Sequence, residues 1–119
     1  FFLNVHEGPH VFNGTATDIP ILTGMITSIE PGLYREGKHG IRIENLVVAK
    51  DIESNQFGDF MDFETLTVCY IDTDLVEKSL LYPEHINWLN NYNQWVFEQV
   101  SPKLNDDEKD WLKNKTKAI

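Results

Sequence analysis

The chain has one cysteine, Cys69, so no intrachain disulfide can form. A lone thiol fits a reducing compartment, and a cytoplasmic location is the expectation. Positive charge is also scarce: 10 Lys and Arg against 19 Asp and Glu leave a net charge of −9. A nucleic-acid surface needs a basic patch, so that class of partner is excluded. The same charge disfavours anionic membranes, and no apolar run approaches the ~20 residues that span a bilayer. Internal repeats and low-complexity stretches are lacking. So are an initiator Met and a signal peptide: Phe1-Phe2-Leu3-Asn4-Val5 reads as the inside of an apolar segment. The expectation is a piece of a longer protein. What remains is 119 residues, 41% of them hydrophobic, enough for one modest domain with a core.

Residues 6 to 10, HEGPH, match the H-E-x-x-H pattern of zinc proteases. That pattern works on a helix, where two histidines four apart share a face and a glutamate between them serves as base. Here the variable positions are Gly8 and Pro9. Proline in a helix interior costs about 3 kcal/mol and glycine about 1 kcal/mol. The stretch reads as a turn, which does not project His6 and His10 together. His10 reads as a surface loop residue, and His6 stays open.

Strand composition appears at Met25 to Ile29, at Ile41 to Val48 and at Phe60 to Ile71. Helical spacing follows. Pro83 suits a first helical position, although Tyr82 before it is a weak N-cap. Ile86, Leu89, Tyr92 (or Asn93) and Val96 mark one face, widened by Trp88, Trp95 and Phe97, and Pro102 marks the end. Asn105 with Glu108 three residues on reads as a relative of the capping box, with Asp106, Asp107 and Glu108 at the positive end of a helix running to about Lys115. Strands first and helices last predict an α+β fold. The aromatic set Trp88, Tyr92, Trp95 and Trp111 either packs the helices onto the sheet or serves an oligomer interface, and the two readings are compatible.

The chemistry-bearing feature is a pair of glutamates, Glu30 in SIEPG and Glu44 in IRIEN. Each follows an isoleucine in an apolar strand. If the two strands form a hairpin centred near Gly37, Glu30 and Glu44 stand opposite each other. Facing carboxylates in a sheet are destabilising, and partial burial makes them more so. Such a pair makes sense if a cation sits between them or if one holds a proton. Arg42, two residues before Glu44 and on the same strand face, could hold a carboxylate by a bidentate contact. In the alternative, the register differs and both glutamates face solvent. Oxygen-only ligation would suit manganese or magnesium, and an added histidine would bring in zinc, cobalt or iron. Two carboxylates are too few to hold a metal well.

Three ordered stretches, FLNVHEGP, MITSIEPGLY and HGIRIENLVV, resemble the last part of the catalytic domain of the aminopeptidase P (Xaa-Pro aminopeptidase) family, which has the pita-bread metallopeptidase fold. FMDFETLTVCYID and LLYPEHINWLNNYNQWV resemble the end of that domain and the C-terminal extension of its cytosolic-type members. The similarity runs from about residue 2 to residue 98, with a weaker match near Trp111-Leu112. It implies the C-terminal part of a pita-bread fold, an antiparallel sheet over residues 1–74, followed by a helical extension over 75–119.

The resemblance also implies roles. Glu30 matches a glutamate that ligates one of two divalent metals and helps handle the proton of the attacking water. Glu44 matches the glutamate that bridges both metals. His6 matches a non-ligand histidine that contacts substrate and stabilises the tetrahedral intermediate, and Arg42 would support the ligands. The implied reaction is hydrolysis of an N-terminal Xaa-Pro bond in a peptide with proline at position 2, by a metal-bridging hydroxide, with Mn2+ as the expected ion. A homodimer through the extension is a further implication. The family's other three ligands, one His and two Asp, lie upstream of where this sequence begins. The chain alone is therefore expected to be inactive, with its two glutamates sharing a proton or splayed. His39, like His10, is read as a loop residue. The alternatives are a non-catalytic pita-bread binding module and an Xaa-Pro dipeptidase.

Overall fold

The structure, a computed structural model, describes residues 8–11 and 18–119. It divides into two compact units, one ending at Thr67 and the other running Val68–Ile119.

Among the described residues the first unit has five strands. β1 (Ile26–Ile29), β4 (Asn45–Asn55) and β5 (Gly58–Thr65) form an antiparallel sheet in the order β1-β4-β5. β2 (Gly32–Arg35) and β3 (His39–Arg42) form a separate hairpin. The expected register holds on both sides of the intervening gap: Ile26 faces Val48 and Ile29 faces Asn45, then Gly32 faces Arg42 and Arg35 faces His39. The turn between β2 and β3 needs a left-handed residue, and Gly37 supplies it at φ 67°. The lone strand expected over Ile41 to Val48 is thus two, interrupted at Ile43-Glu44. His39 opens β3 rather than lying in a loop.

Val47 and Ala49 are the buried apolar residues of this sheet, alternating with more exposed neighbours as the pleat requires. His10 departs from the surface reading. It is half-buried, its Nε2 lies 2.9 Å from the Ile26 carbonyl, and its Nδ1 is enclosed with no hydrogen-bond partner among the described residues.

The second unit is helical. α1 (Pro83–Val100) begins with Pro83 in its first turn and has no side-chain cap from Tyr82, as expected. Its buried residues are Leu89, Tyr92, Asn93 and Val96, so both candidates for the central position lie on the buried face. A 3-10 turn containing Pro102, Ser101–Lys103, follows. α2 (Asp106–Lys115) then starts at a complete capping box: the Glu108 amide donates to Asn105 Oδ1 and the Asn105 amide to Glu108 Oε2, each at 3.0 Å.

Residues 68–71 correct the third expected strand. β5 stops at Thr65, the Leu66 amide still donates to the Leu46 carbonyl at 2.8 Å, and from Cys69 onward backbone groups bond to α1 side chains. Tyr92 donates to the Cys69 carbonyl at 2.8 Å. Asn93 accepts from the Ile71 amide at 2.9 Å and donates to the Ile71 carbonyl at 3.0 Å. The β-type composition was real, but its ladder partner is an amide side chain. This segment belongs with the helices in the unit Val68–Ile119. Trp88 stacks on Tyr92 at 5.4 Å while remaining half-exposed, and Trp111 meets Tyr70 edge-on at 5.7 Å.

Candidate metal-binding carboxylate site

Glu30 and Glu44 sit where the two strand pairs part. Pro31 has no amide to donate, so the ladder cannot close there on both sides. The Ile43 amide still donates to the Pro31 carbonyl, at 3.3 Å, which holds the chains together across the gap. The break frees Glu30 and Glu44 from regular strand geometry while the flanking registers keep them opposite.

Arg42, the last residue of β3, resolves the like charge. Its Nη1 lies 3.3 Å from Glu30 Oε2 and its Nη2 3.2 Å from Glu44 Oε2. The guanidinium fork is split between two carboxylates, where bidentate hold of a single one was expected. The glutamates are neither splayed apart nor left facing each other: one fixed cation pairs with both. Ser28, two residues before Glu30, donates to Glu30 Oε1 at 2.7 Å. Glu30 is the more enclosed carboxylate, with its side chain 24% exposed against 41% for Glu44. The Arg42 pKa is raised above its ordinary value, first by the nearby Tyr34 phenol and then by Glu44 and Glu30.

Two of these contacts escaped sequence reasoning. Ser28 was legible in principle, being two residues from Glu30 on the same face. Tyr34 was legible from the register, which sets it diagonal to Arg42 across the hairpin. His6 lies outside the described residues.

The donor chemistry fits part of a divalent-metal site. Carboxylate oxygens suit manganese or magnesium, and these two already converge on one cationic group. Glu30 and Glu44 would be the holding residues. Among the described residues there is no group of three or more His, Cys, Asp or Glu that could hold a metal ion.

Comparison with known proteins places this α+β chain, with its glutamate pair held by one arginine, among the metallopeptidases. Residues 2–51 match the metallopeptidase family M24, and residues 59–119 match the C-terminal region of peptidase M24. The chain belongs to this family. It is 43% identical to a probable Xaa-Pro aminopeptidase P of Coprinopsis cinerea, over 99% of the chain and 20% of that protein. It is 37% identical to aminopeptidase P1 of Lotus japonicus, over 99% of the chain and 18% of that protein. Its structure superposes on the X-prolyl aminopeptidase of Caenorhabditis elegans, described as a cytosolic enzyme with a di-nuclear active site. That match has a TM-score of 0.80 and 37% identity over 98% of the chain and 20% of the other. The fold is thus that of the C-terminal part of a pita-bread enzyme, and the chain spans about a fifth of the length of these relatives.

Proposed function

We propose that this chain is the C-terminal part of an Xaa-Pro aminopeptidase, and that it supplies two of the metal-binding carboxylates, Glu30 and Glu44. The observation that carries the reading is the convergence of both glutamates on Arg42 at the register of a broken hairpin. The parent enzyme removes the first residue from peptides with proline at position 2.

A divalent metal pair bound at such a site supplies an acidified water and a polarised carbonyl. The chain's own residues do the rest of the work assigned here. Glu44 would hold metal through its carboxylate. Glu30, the less exposed of the two, would also hold metal and would accept a proton at a carboxylate oxygen. Arg42 fixes the separation and orientation of both. Ser28 holds the Glu30 carboxylate from its other oxygen. His6 contacts substrate and stabilises the tetrahedral intermediate. Mn2+ is the proposed ion because the two donors are both carboxylates. A cytoplasmic location is proposed from the lone free thiol and the cytosolic relative, and no helix among the described residues is long and apolar enough to cross a membrane. The half-exposed Trp88 and Trp111 of the helical unit support a homodimer contact through the extension.

The test is an assay of the full-length protein on an Xaa-Pro peptide with Mn2+ and after chelation. Wild type is expected to release the first residue only with metal, and Glu44→Ala to abolish turnover while the fold is kept. Near-normal turnover by Glu44→Ala refutes the assignment.

A further inference from the structure

Gly32 and Gly40 raise a question that backbone geometry does not answer. Neither has a positive φ; among the described residues only Gly24, Gly37 and Gly58 do. Both lie in strands, where glycine weakens the element and often marks a place where another group approaches closely.

The approaching group is Tyr34. In the β2–β3 hairpin Tyr34 faces Gly40 and Gly32 faces Arg42. Residues two apart on a strand share a face, and so do directly opposed residues. The four therefore form a square on one face, with glycines at two corners and Tyr34 and Arg42 on the diagonal. Diagonal partners stand about 7–8 Å apart, within reach of an aromatic side chain if nothing stands between. Here nothing does. A methyl group at Gly40 would lie 2.6 Å from Tyr34 Cδ1, and one at Gly32 would lie 2.8 Å from both Cε2 and the hydroxyl oxygen. The ring thus lies across both glycines, its root over Gly40 and its hydroxyl over Gly32, next to Arg42.

We infer that Gly32 and Gly40 are positioning residues for the carboxylate pair: their bare backbone is the seat that lets Tyr34 reach and brace Arg42, which in turn spaces Glu30 and Glu44. This rests on the reading of Glu30 and Glu44 as metal-binding residues. The brace has a physical purpose. Arg42 is half-exposed, and a free arginine side chain has many rotamers to lose when it is held in one geometry. The phenol, whose hydroxyl lies over Gly32 directly opposite Arg42, limits that freedom and leaves Nη1 and Nη2 aimed at the two carboxylates.

The experiment is a double-mutant cycle in the full-length protein, with Mn2+ affinity of the chelated enzyme measured by calorimetric titration. Gly40→Ala, Gly32→Ala and Tyr34→Ala are each expected to weaken affinity about tenfold or more, the usual consequence of losing support for metal ligands. Tyr34→Phe, which keeps the ring and loses the hydroxyl, is expected to weaken it too. In the Tyr34→Ala background, Gly40→Ala is expected to add less than about a twofold effect, since the two act through one contact. Equal losses from Gly40→Ala in both backgrounds, or none in the wild-type background, overturn the inference. If Gly40→Ala alone does not fold, the double variant must recover folding because the clash is gone, and failure to recover also overturns it. The metal-site reading fails separately, if Glu44→Ala binds Mn2+ as wild type does. A crystal structure of the chelated Gly40→Ala variant then still decides the seat, by whether the Arg42 fork spans both glutamates.

Discussion

Asn93 offers a test of how the helical unit holds the chain that leaves the sheet. Its side chain is 1% exposed and acts as a strand partner for one residue, accepting from the Ile71 amide and donating to the Ile71 carbonyl. Asn93→Ala removes both contacts. Each is worth about 1 kcal/mol net, and Ile71 is only half-buried, so water can replace part of the loss. The expected local destabilisation is about 2 kcal/mol, or an amide exchange rate at Ile71 faster by roughly 30-fold. Hydrogen exchange of the full-length protein, corrected for intrinsic rates, reads this directly. Asn93→Asp sharpens the test. The carboxylate can still accept from the Ile71 amide, but it can donate to the carbonyl only when protonated. Burial and the facing carbonyl raise its pKa in the folded state. The sign follows: a raised folded pKa means stability present below the unfolded value of about 3.9 and lost as pH rises through the folded value. Relative to wild type at each pH, the aspartate variant is expected to protect Ile71 in mild acid and to lose that protection at neutral pH. A change of less than about twofold in Asn93→Ala would refute the idea that this clip holds the segment.

Two further outcomes follow from the second unit. Asn105→Ala removes the side-chain arm of the α2 capping box, leaving the backbone amide at 105 free to donate to Glu108, and is expected to cost about 1 kcal/mol, seen as faster exchange in the first turn of α2 with α1 unchanged. Asp72 has a pKa below its ordinary value of 3.8, first because the Asp74 amide donates to it at 2.9 Å and then because Lys115 lies beside it. Its contribution is therefore present above that value and lost as pH falls through the lower folded value; Asp72→Asn is expected to flatten the acid limb of a thermal-melting profile. The Lys115 pKa is raised above 10.5, chiefly by its hydrogen bond to Asp74, so the same contact persists at neutral pH and is lost only above that value. A Lys115→Met variant with unchanged melting at pH 7 would show that this surface cluster contributes nothing measurable.

The parts of this molecule that were legible in the sequence are those where one local rule suffices. Gly37 can turn a hairpin, and once the turn is placed a period of two sets every facing pair from Ile26 and Val48 to Arg35 and His39. The buried face of α1 and the Asn105–Glu108 box follow from helical spacing in the same way. What was not legible depends on a second element arriving. Residues 68–71 carry strand composition, and nothing local says that Asn93, far along the chain, replaces a neighbouring strand. The split fork of Arg42 is a further case. Its position beside Glu44 suggested support for one carboxylate, but its reach to Glu30 depends on a ladder break that Pro31 imposes on the opposite strand. That break explains why the pair is tolerable. In an unbroken sheet two facing glutamates would sit at a fixed strand spacing with a like-charge cost and no room for a cation. With the ladder opened at Pro31, the flanking strands still hold Glu30 and Glu44 opposite, and the gap admits a positive group between them. Arg42 provides one such group. A site of this form keeps two carboxylates close and oriented whether or not a metal is bound, so the strain of assembling them is met by folding and not by metal binding.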